Sequence, residues 1–278
     1  VVVEDPVYGI VKKICHQVGN PANKVFTTTC HLVTTTERTL MTTATENLPT
    51  CWKHFQQCLD SGIDRILLYG PPGTGKTYAG LHHGNVSAGA FRLVCTEDMT
   101  NFDVTGGFLP GPNGFQWMFG SGVKAWEGDG LNGGRLVVDE IDKAGGDVFA
   151  TLLSILDSPE SAEWTHPETS RTHRPRPGFS SVMTTNIEDM EDLPVALVDR
   201  FPVQIRINEP HPDALLALSA DLRTVARNMA DAGPRRVSLR AFKTFDQLRK
   251  SLGAEDAAKI TFKDRAVGIL DAMRIEAI

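Results

Sequence analysis

Between Gly62 and Pro210, short apolar runs alternate with amphipathic stretches. Ile66–Tyr69, Phe91–Cys95, Leu136–Val138, Ser181–Thr184 and Val203–Ile207 are short and bounded by polar or turn residues, which predicts strands. Thr77–His83 opens a helix, and Phe149–Leu156 predicts another, with Phe149, Leu152, Leu153 and Leu156 on one face. Apolar strands that alternate with helices predict a parallel sheet covered on both sides. Upstream, Trp52, Phe55 and Leu59 recur at helical spacing, and Gly62 marks the end of that helix. After Pro210 the pattern changes, and Ala- and Leu-rich periodic stretches to Ile278 predict a small all-helical domain. The first 49 residues read differently. Thr is dense from Thr27 to Thr50, and Thr favours strands and turns, so a peripheral strand, hairpin or arm is expected. The expected boundaries are 1–49, 50–209 and 210–278.

Composition narrows the class. The chain has 278 residues, 41% hydrophobic and 22% charged, the balance of a globular protein with a core. Its net charge of -6 argues against a generally basic nucleic-acid-binding surface, though not against a local basic loop. No stretch approaches 18 consecutive apolar residues, so no membrane insertion is expected. No basic stretch followed by an apolar one opens the chain, so no secretory signal is expected. Val1 rather than Met stands first, which leaves room for a preceding segment. The five cysteines are odd in number and form no Cys-x-x-Cys pair, which fits a reducing compartment, and a cytoplasmic location is expected. Cys15-His16 recurs as Cys30-His31, and Cys51, His54 and Cys58 have helical spacing. A structural zinc site is the weaker reading of these residues. Ordinary core or surface positions are the stronger one, since the spacing matches no familiar zinc pattern.

The predicted strand at Ile66–Tyr69 runs straight into Gly70-Pro71-Pro72-Gly73-Thr74-Gly75-Lys76-Thr77, with Tyr78 following. This is the full P-loop pattern. Its glycines let backbone N–H groups turn inward round phosphates, and the next helix presents its positive end to the same anion. Lys76 is placed for the β and γ phosphates of ATP, and Thr77 for Mg2+. Further on, Arg135–Asp142 is an apolar strand that ends in adjacent carboxylates. Asp139 is placed to hold Mg2+ through water, and Glu140 to orient and polarise the attacking water.

This combination resembles the AAA+ ATPases. The resemblance implies an α/β P-loop NTPase domain with a five-stranded parallel sheet, then a small helical lid domain at 210–278. Asp139-Glu140 looks like the Walker B pair. Ser180–Asn186 looks like the sensor 1 strand, with Asn186 at its polar tip and Thr184 and Thr185 as alternatives. Leu193–Phe201 is similar to the segment that carries the arginine finger, which implies that Arg200 reaches a neighbouring subunit's nucleotide. In Gly233–Phe242, Arg240 is the first candidate for sensor 2, with Arg235 and Arg236 as competitors.

Glu97–Glu140 narrows the resemblance to the MoxR-like clade. A "TGG" turn, aromatic alternation at Phe115, Trp117 and Phe119, and "GSGVKAWEGDG" look like that clade's helix-2 insert, near 104–130. Gly120-Ser121-Gly122-Val123 departs from the usual Gly-Pro-Leu. Membership implies a homo-hexameric ring that remodels a protein substrate or adaptor, often one with a von Willebrand factor A domain. A motor on nucleic acid is the alternative. For it, Arg171, Arg174 and Arg176 in the polar segment Trp164–Arg176 are the candidate contacts, and an ordinary solvated loop is their bland reading. "TTNIEDM" differs from the Asn-Thr-Ala-Asp string of the restriction GTPases, which favours ATP over GTP.

Overall fold

In the computed structural model the described residues are 2–5, 9–19, 26–33, 48–112 and 114–276, the first three segments as backbone elements only. Two compact units, Val1–Leu48 and Pro49–Ile278, divide the chain. The first contains an antiparallel sheet of β1 (Val2–Asp5), β2 (Gly9–Gly19) and β3 (Phe26–Val33). Its β2–β3 register sets Cys15 opposite Cys30. The side chains of Cys15, His16, Cys30 and His31 lie outside the described residues.

The second unit opens with α1 (Thr50–Asp60), which buries Trp52 and Phe55. There follow β4 (Arg65–Tyr69), α2 (Lys76–His82), β5 (Ala90–Val94), the short α3 (Asn101–Val104) and a hairpin of β6 (Gly106–Gly111) and β7 (Gly114–Phe119). Next come α4 (Ser121–Glu127), β8 (Arg135–Asp139), α5 (Gly146–Ile155), and a small ribbon of β9 (Trp164–Thr165) and β10 (Thr172–His173). The α/β part closes with β11 (Ser180–Thr184), α6 (Val195–Arg200) and β12 (Val203–Arg206). The main sheet has five parallel strands in the order β12–β4–β11–β8–β5. Every residue of β8 is buried, as the unbroken apolar pattern of a strand covered on both faces requires.

Leu67, Leu136, Val138 and Met183 of the sheet join Val123, Trp126, Leu152 and Phe201 in one core. A second core, built on Leu222, Phe242, Phe245 and Phe262, holds α7 (Pro212–Leu216), α8 (Ala220–Met229), α9 (Leu239–Leu252), α10 (Ala254–Phe262) and α11 (Ala266–Glu276) together. The five-stranded parallel sheet followed by an all-helical C-terminal part is the expected architecture.

The hairpin β6–β7 falls in the segment expected to hold the insert. It does not stand alone. Trp117 stacks near Trp164 (ring centroids 5.9 Å apart) and His166 (4.5 Å), and Phe119 meets His173 edge-on. The polar segment 164–176 is therefore partly a support for the hairpin. Entry into β6 depends on Gly106, where φ is +111° and a Cβ would lie 2.2 Å from the Met118 carbonyl oxygen. Only glycine fits there. Among the described residues no helix is long and apolar enough to cross a membrane, and no group of three or more His, Cys, Asp or Glu is placed to hold a metal ion.

Candidate active site

Parallel pairing sets the C-terminal ends of β4, β11 and β8 side by side. Leu68 lies opposite Thr184, and Met183 opposite Val138. The loops leaving these ends carry the candidate residues, at the edge of the sheet where open α/β folds bind ligands.

The loop after β4 turns through Gly70, Gly73 and Gly75, all at positive φ. It delivers the buried Lys76 to the start of α2. Lys76 Nζ donates to the carbonyls of Gly70 (2.9 Å) and Pro71 (2.8 Å) and to Asn186 Oδ1 (3.1 Å). Thr74 is buried, and its Oγ1 donates to the Pro71 carbonyl. Gly75 caps α2 without a side-chain hydrogen bond, which leaves the first N–H groups of the helix directed at the loop. Burial lowers the Lys76 pKa to about 8; Asp139 and Asp142 oppose that shift, while Arg236 and Arg240 add to it. Tyr78 points away, 62% exposed and stacked on His82.

Asp139 ends β8. Its Oδ1 accepts from Thr77 Oγ1 at 2.8 Å and from Thr184 Oγ1 at 2.5 Å, and its Oδ2 pairs with Arg92 Nη2 at 2.5 Å. Burial pushes the carboxyl up, but the hydrogen bonds from Thr184, Arg92 and Thr77 outweigh it and hold the pKa below its ordinary value. Thr77 and Asp139 suit Mg2+. They are two hard oxygen donors whose 2.8 Å separation matches neighbouring positions in an octahedral shell of about 2.1 Å radius.

Glu140 is one of three non-glycine residues at positive φ among those described (φ 57°, ψ 47°). Left-handed backbone at a carboxylate is uncommon and concentrates at functional positions. It aims Glu140 back over the site, where Asn186 Nδ2 donates to Oε1 (3.4 Å) and Lys143 Nζ to Oε2 (2.6 Å). The three sensor candidates have different partners. Thr184 binds Asp139, Thr185 binds Asp142 at 2.6 Å, and Asn186 bridges Lys76 and Glu140.

The helical part reaches the same loop. A Cβ on Gly73 would lie 2.9 Å from Cβ of Ser238, the N-cap of α9, and Arg240 sits in the first turn of that helix. Both Arg236 and Arg240 act electrostatically on Lys76. Arg236 also donates to Glu188 at 3.3 Å.

Arg200 lies apart from this cluster. At the end of α6 its guanidinium is held by the Leu153 carbonyl, the Ala196 carbonyl and Asp157 Oδ2, each at 2.9 Å. It therefore contacts none of Lys76, Asp139 or Glu140 in its own chain. Sequence reasoning missed Arg92, Lys143 and the contact from Thr184 to Asp139. For Arg92, a basic residue inside an otherwise apolar strand was the available signal.

Residues 65–201 match the family model described as an AAA domain of the dynein-related subfamily. The match runs from the first residue of β4 to the residue after α6. No curated protein matches the chain by sequence. Among solved structures, a Cytophaga hutchinsonii protein assigned as an ATPase is 19% identical, with a TM-score of 0.44, covering 87% of this chain and 72% of that one. NtrX from Brucella abortus is 13% identical, with a TM-score of 0.44 and coverages of 88% and 51%; its complex with ADP gives 13%, 0.47, 77% and 54%. The chain spans about half the length of those NtrX chains. Likeness at this level carries no information on substrate or partner.

Proposed function

We propose, from the premise that residues 65–201 are an AAA+ domain of the ATP-hydrolysing P-loop fold, that this chain is a Mg·ATP-dependent ATPase of the MoxR-like kind. In this reading it assembles into a homo-hexameric ring and remodels or activates a protein partner. One observation carries the catalytic part: Lys76, Asn186 and Glu140 form one hydrogen-bonded set and Thr77 and Asp139 another, and the two are held side by side because 76–77 and 139–140 are adjacent in the chain.

In the proposed mechanism the ammonium of Lys76 transfers its donors from the Gly70 and Pro71 carbonyls to the β and γ phosphates. Thr77 and Asp139 would hold Mg2+, which would supply neutralisation of phosphate charge. Glu140 accepts a proton from the attacking water, and Asn186 fixes the position of that carboxylate. Arg240 or Arg236 reports the nucleotide to the lid. Arg200 supplies charge to a neighbour's γ phosphate.

The partner is read from the surface of the hairpin. Phe115 is 73% exposed at its tip, and Phe108, Leu109 and Met118 are also exposed, an apolar surface suited to protein. The nucleic-acid reading loses support in segment 164–176, where Arg174 pairs with Glu163 and Arg176 with Glu127. A von Willebrand factor A domain is the candidate partner type.

The test is the Glu140→Gln variant. It should bind ATP almost as well as the parent and release phosphate roughly a hundredfold more slowly or worse. Light scattering with Mg·ATP should give six times the protomer mass, with a protein client retained by the stalled ring. Undiminished turnover would remove Glu140 from the reaction, and a monomer under every nucleotide condition would remove the ring.

A further inference from the structure

Arg92 is a cation with no place in the mechanism above, yet it touches the residue assigned to the metal. It lies on β5, the edge strand, with its Cα paired to Val137. From there its side chain runs along the strand to Asp139, two positions beyond Val137. The two partners differ in environment. The Asp139 side chain is 8% exposed and the Arg92 side chain 49%. Asp139 is also fixed through Oδ1 by Thr77 and Thr184. The carboxylate is thus the more tightly held partner, and the guanidinium can withdraw to water without burying its charge.

We propose that the charge of Arg92 on Oδ2 of Asp139 opposes a metal held at the Oδ1 side, beside Thr77, and thereby sets the Mg2+ concentration at which this chain binds nucleotide productively. The inference rests on the reading of Asp139 as a metal-holding carboxylate. A charge-assisted hydrogen bond at 2.5 Å stabilises the carboxylate with one positive charge already in place. A guanidinium on Oδ2 and a divalent cation at Oδ1 of one carboxylate repel each other, so metal binding either proceeds against that repulsion or displaces Arg92 toward water. Either course costs free energy and appears as weaker apparent Mg2+ affinity. Lys76, Arg236 and Arg240 add positive charge nearby, and Glu140 and Asp142 add negative charge; all of them remain in an Arg92 variant, so the comparison isolates one group.

The measurement is binding of a fluorescent ATP analogue as Mg2+ is titrated into the full chain, without reading turnover. Arg92→Gln should lower the half-saturating Mg2+ by roughly threefold to tenfold. Binding in excess chelator should be unchanged or weaker. Arg92→Lys keeps the charge and should stay within about twofold of the parent. Asp139→Asn separates the two readings. If it abolishes the Mg2+ dependence while Arg92→Gln leaves the midpoint in place, Asp139 holds the metal and Arg92 does not oppose it. A midpoint that rises in Arg92→Gln also overturns the proposal, because Arg92 would then be orienting Asp139 for the metal. If Asp139→Asn changes nothing, the metal assignment fails and the proposal fails with it. Thermal melts of each variant confirm that the fold is retained.

Discussion

Two buried or half-buried basic side chains, Lys76 and His83, carry the sharpest expectations at the scale of single residues. Lys76 spends its donors on two backbone carbonyls and Asn186, and no other ammonium lies in the loop between Gly70 and Thr77. Lys76→Ala should therefore lower Mg·ATP affinity at least a hundredfold, an estimate of order two to three kcal/mol for a lost charge-assisted contact. Calorimetric titration checks it, and an unchanged dissociation constant would move the phosphate site elsewhere. His83 gives a pH expectation. Its ring sits 4.7 Å from that of His211 and also meets Trp52 and Phe55. Burial, then the charge of His211, lowers its pKa from 6.5 to about 4. Between those values the unfolded chain takes up a proton that the folded chain refuses. The stability contribution is thus complete above pH 6.5 and is lost as pH falls toward 4. About 2 kcal/mol should disappear between pH 7.5 and 5. Urea midpoints should show this loss in the parent and a flatter profile in His83→Leu; equal slopes in both proteins would contradict it.

Among the elements, α2 is short, and its last turn and the residues after it are tied from a strand. Arg135, at the start of β8, is only 4% exposed. It donates to the carbonyls of Gly80 (3.2 Å), His83 (2.5 Å) and Asn85 (3.4 Å). One guanidinium thus satisfies one acceptor in the last turn of the helix that carries Lys76 and Thr77, and two in the segment that follows it. Arg135→Leu would leave those acceptors without a donor and should destabilise the fold by about 2–4 kcal/mol. Denaturant melts measure the loss. ATP affinity should fall too, since the start of α2 forms the loop's floor. A variant as stable as the parent would mean that water replaces the guanidinium freely. The β6–β7 hairpin is tied down in a comparable way, by Trp117 on Trp164 and His166, so its exposed tip projects from a supported base.

For the molecule as a whole, Arg200 decides whether one chain suffices for turnover. Pro202 follows it after Phe201, which stops α6 and leaves the arginine at the end of the helix. Its three contacts, to Leu153, Ala196 and Asp157, are all on its own chain and away from the P-loop. A role in hydrolysis therefore requires a second copy. Arg200→Ala should bind ATP normally and lose hydrolysis. Mixed with Lys76→Ala, it should regain part of the activity, because a protomer with intact Lys76 then receives Arg200 from its neighbour. ATPase rate against mixing ratio is the measurement, after light scattering has shown that the variants co-assemble. Mixed rings without recovered activity would count against an arginine acting between subunits.

Local chemistry was enough to mark the elements whose identity depends on neighbours in sequence. An apolar strand followed by Gly70–Thr77 announces a phosphate loop because glycine spacing and a lysine are covalently fixed features. The same holds for Arg135–Asp142, and for the parallel strands, marked by short runs rich in apolar residues between turn residues. The helical period after Pro210 likewise showed where the sheet ends. Contacts that depend on distant segments could not be read that way. Which of Thr184, Thr185 and Asn186 meets which partner depends on the register between β11 and β8, and a shift of one residue reverses the face of every side chain. Arg92 on Asp139 depends on which strand forms the edge next to β8. The standing of Arg236 beside Arg240 depends on Ser238 packing against Gly73, across more than 150 residues of chain. Sequence therefore determined the kinds of chemistry this protein carries, and tertiary structure decided which charges share a carboxylate.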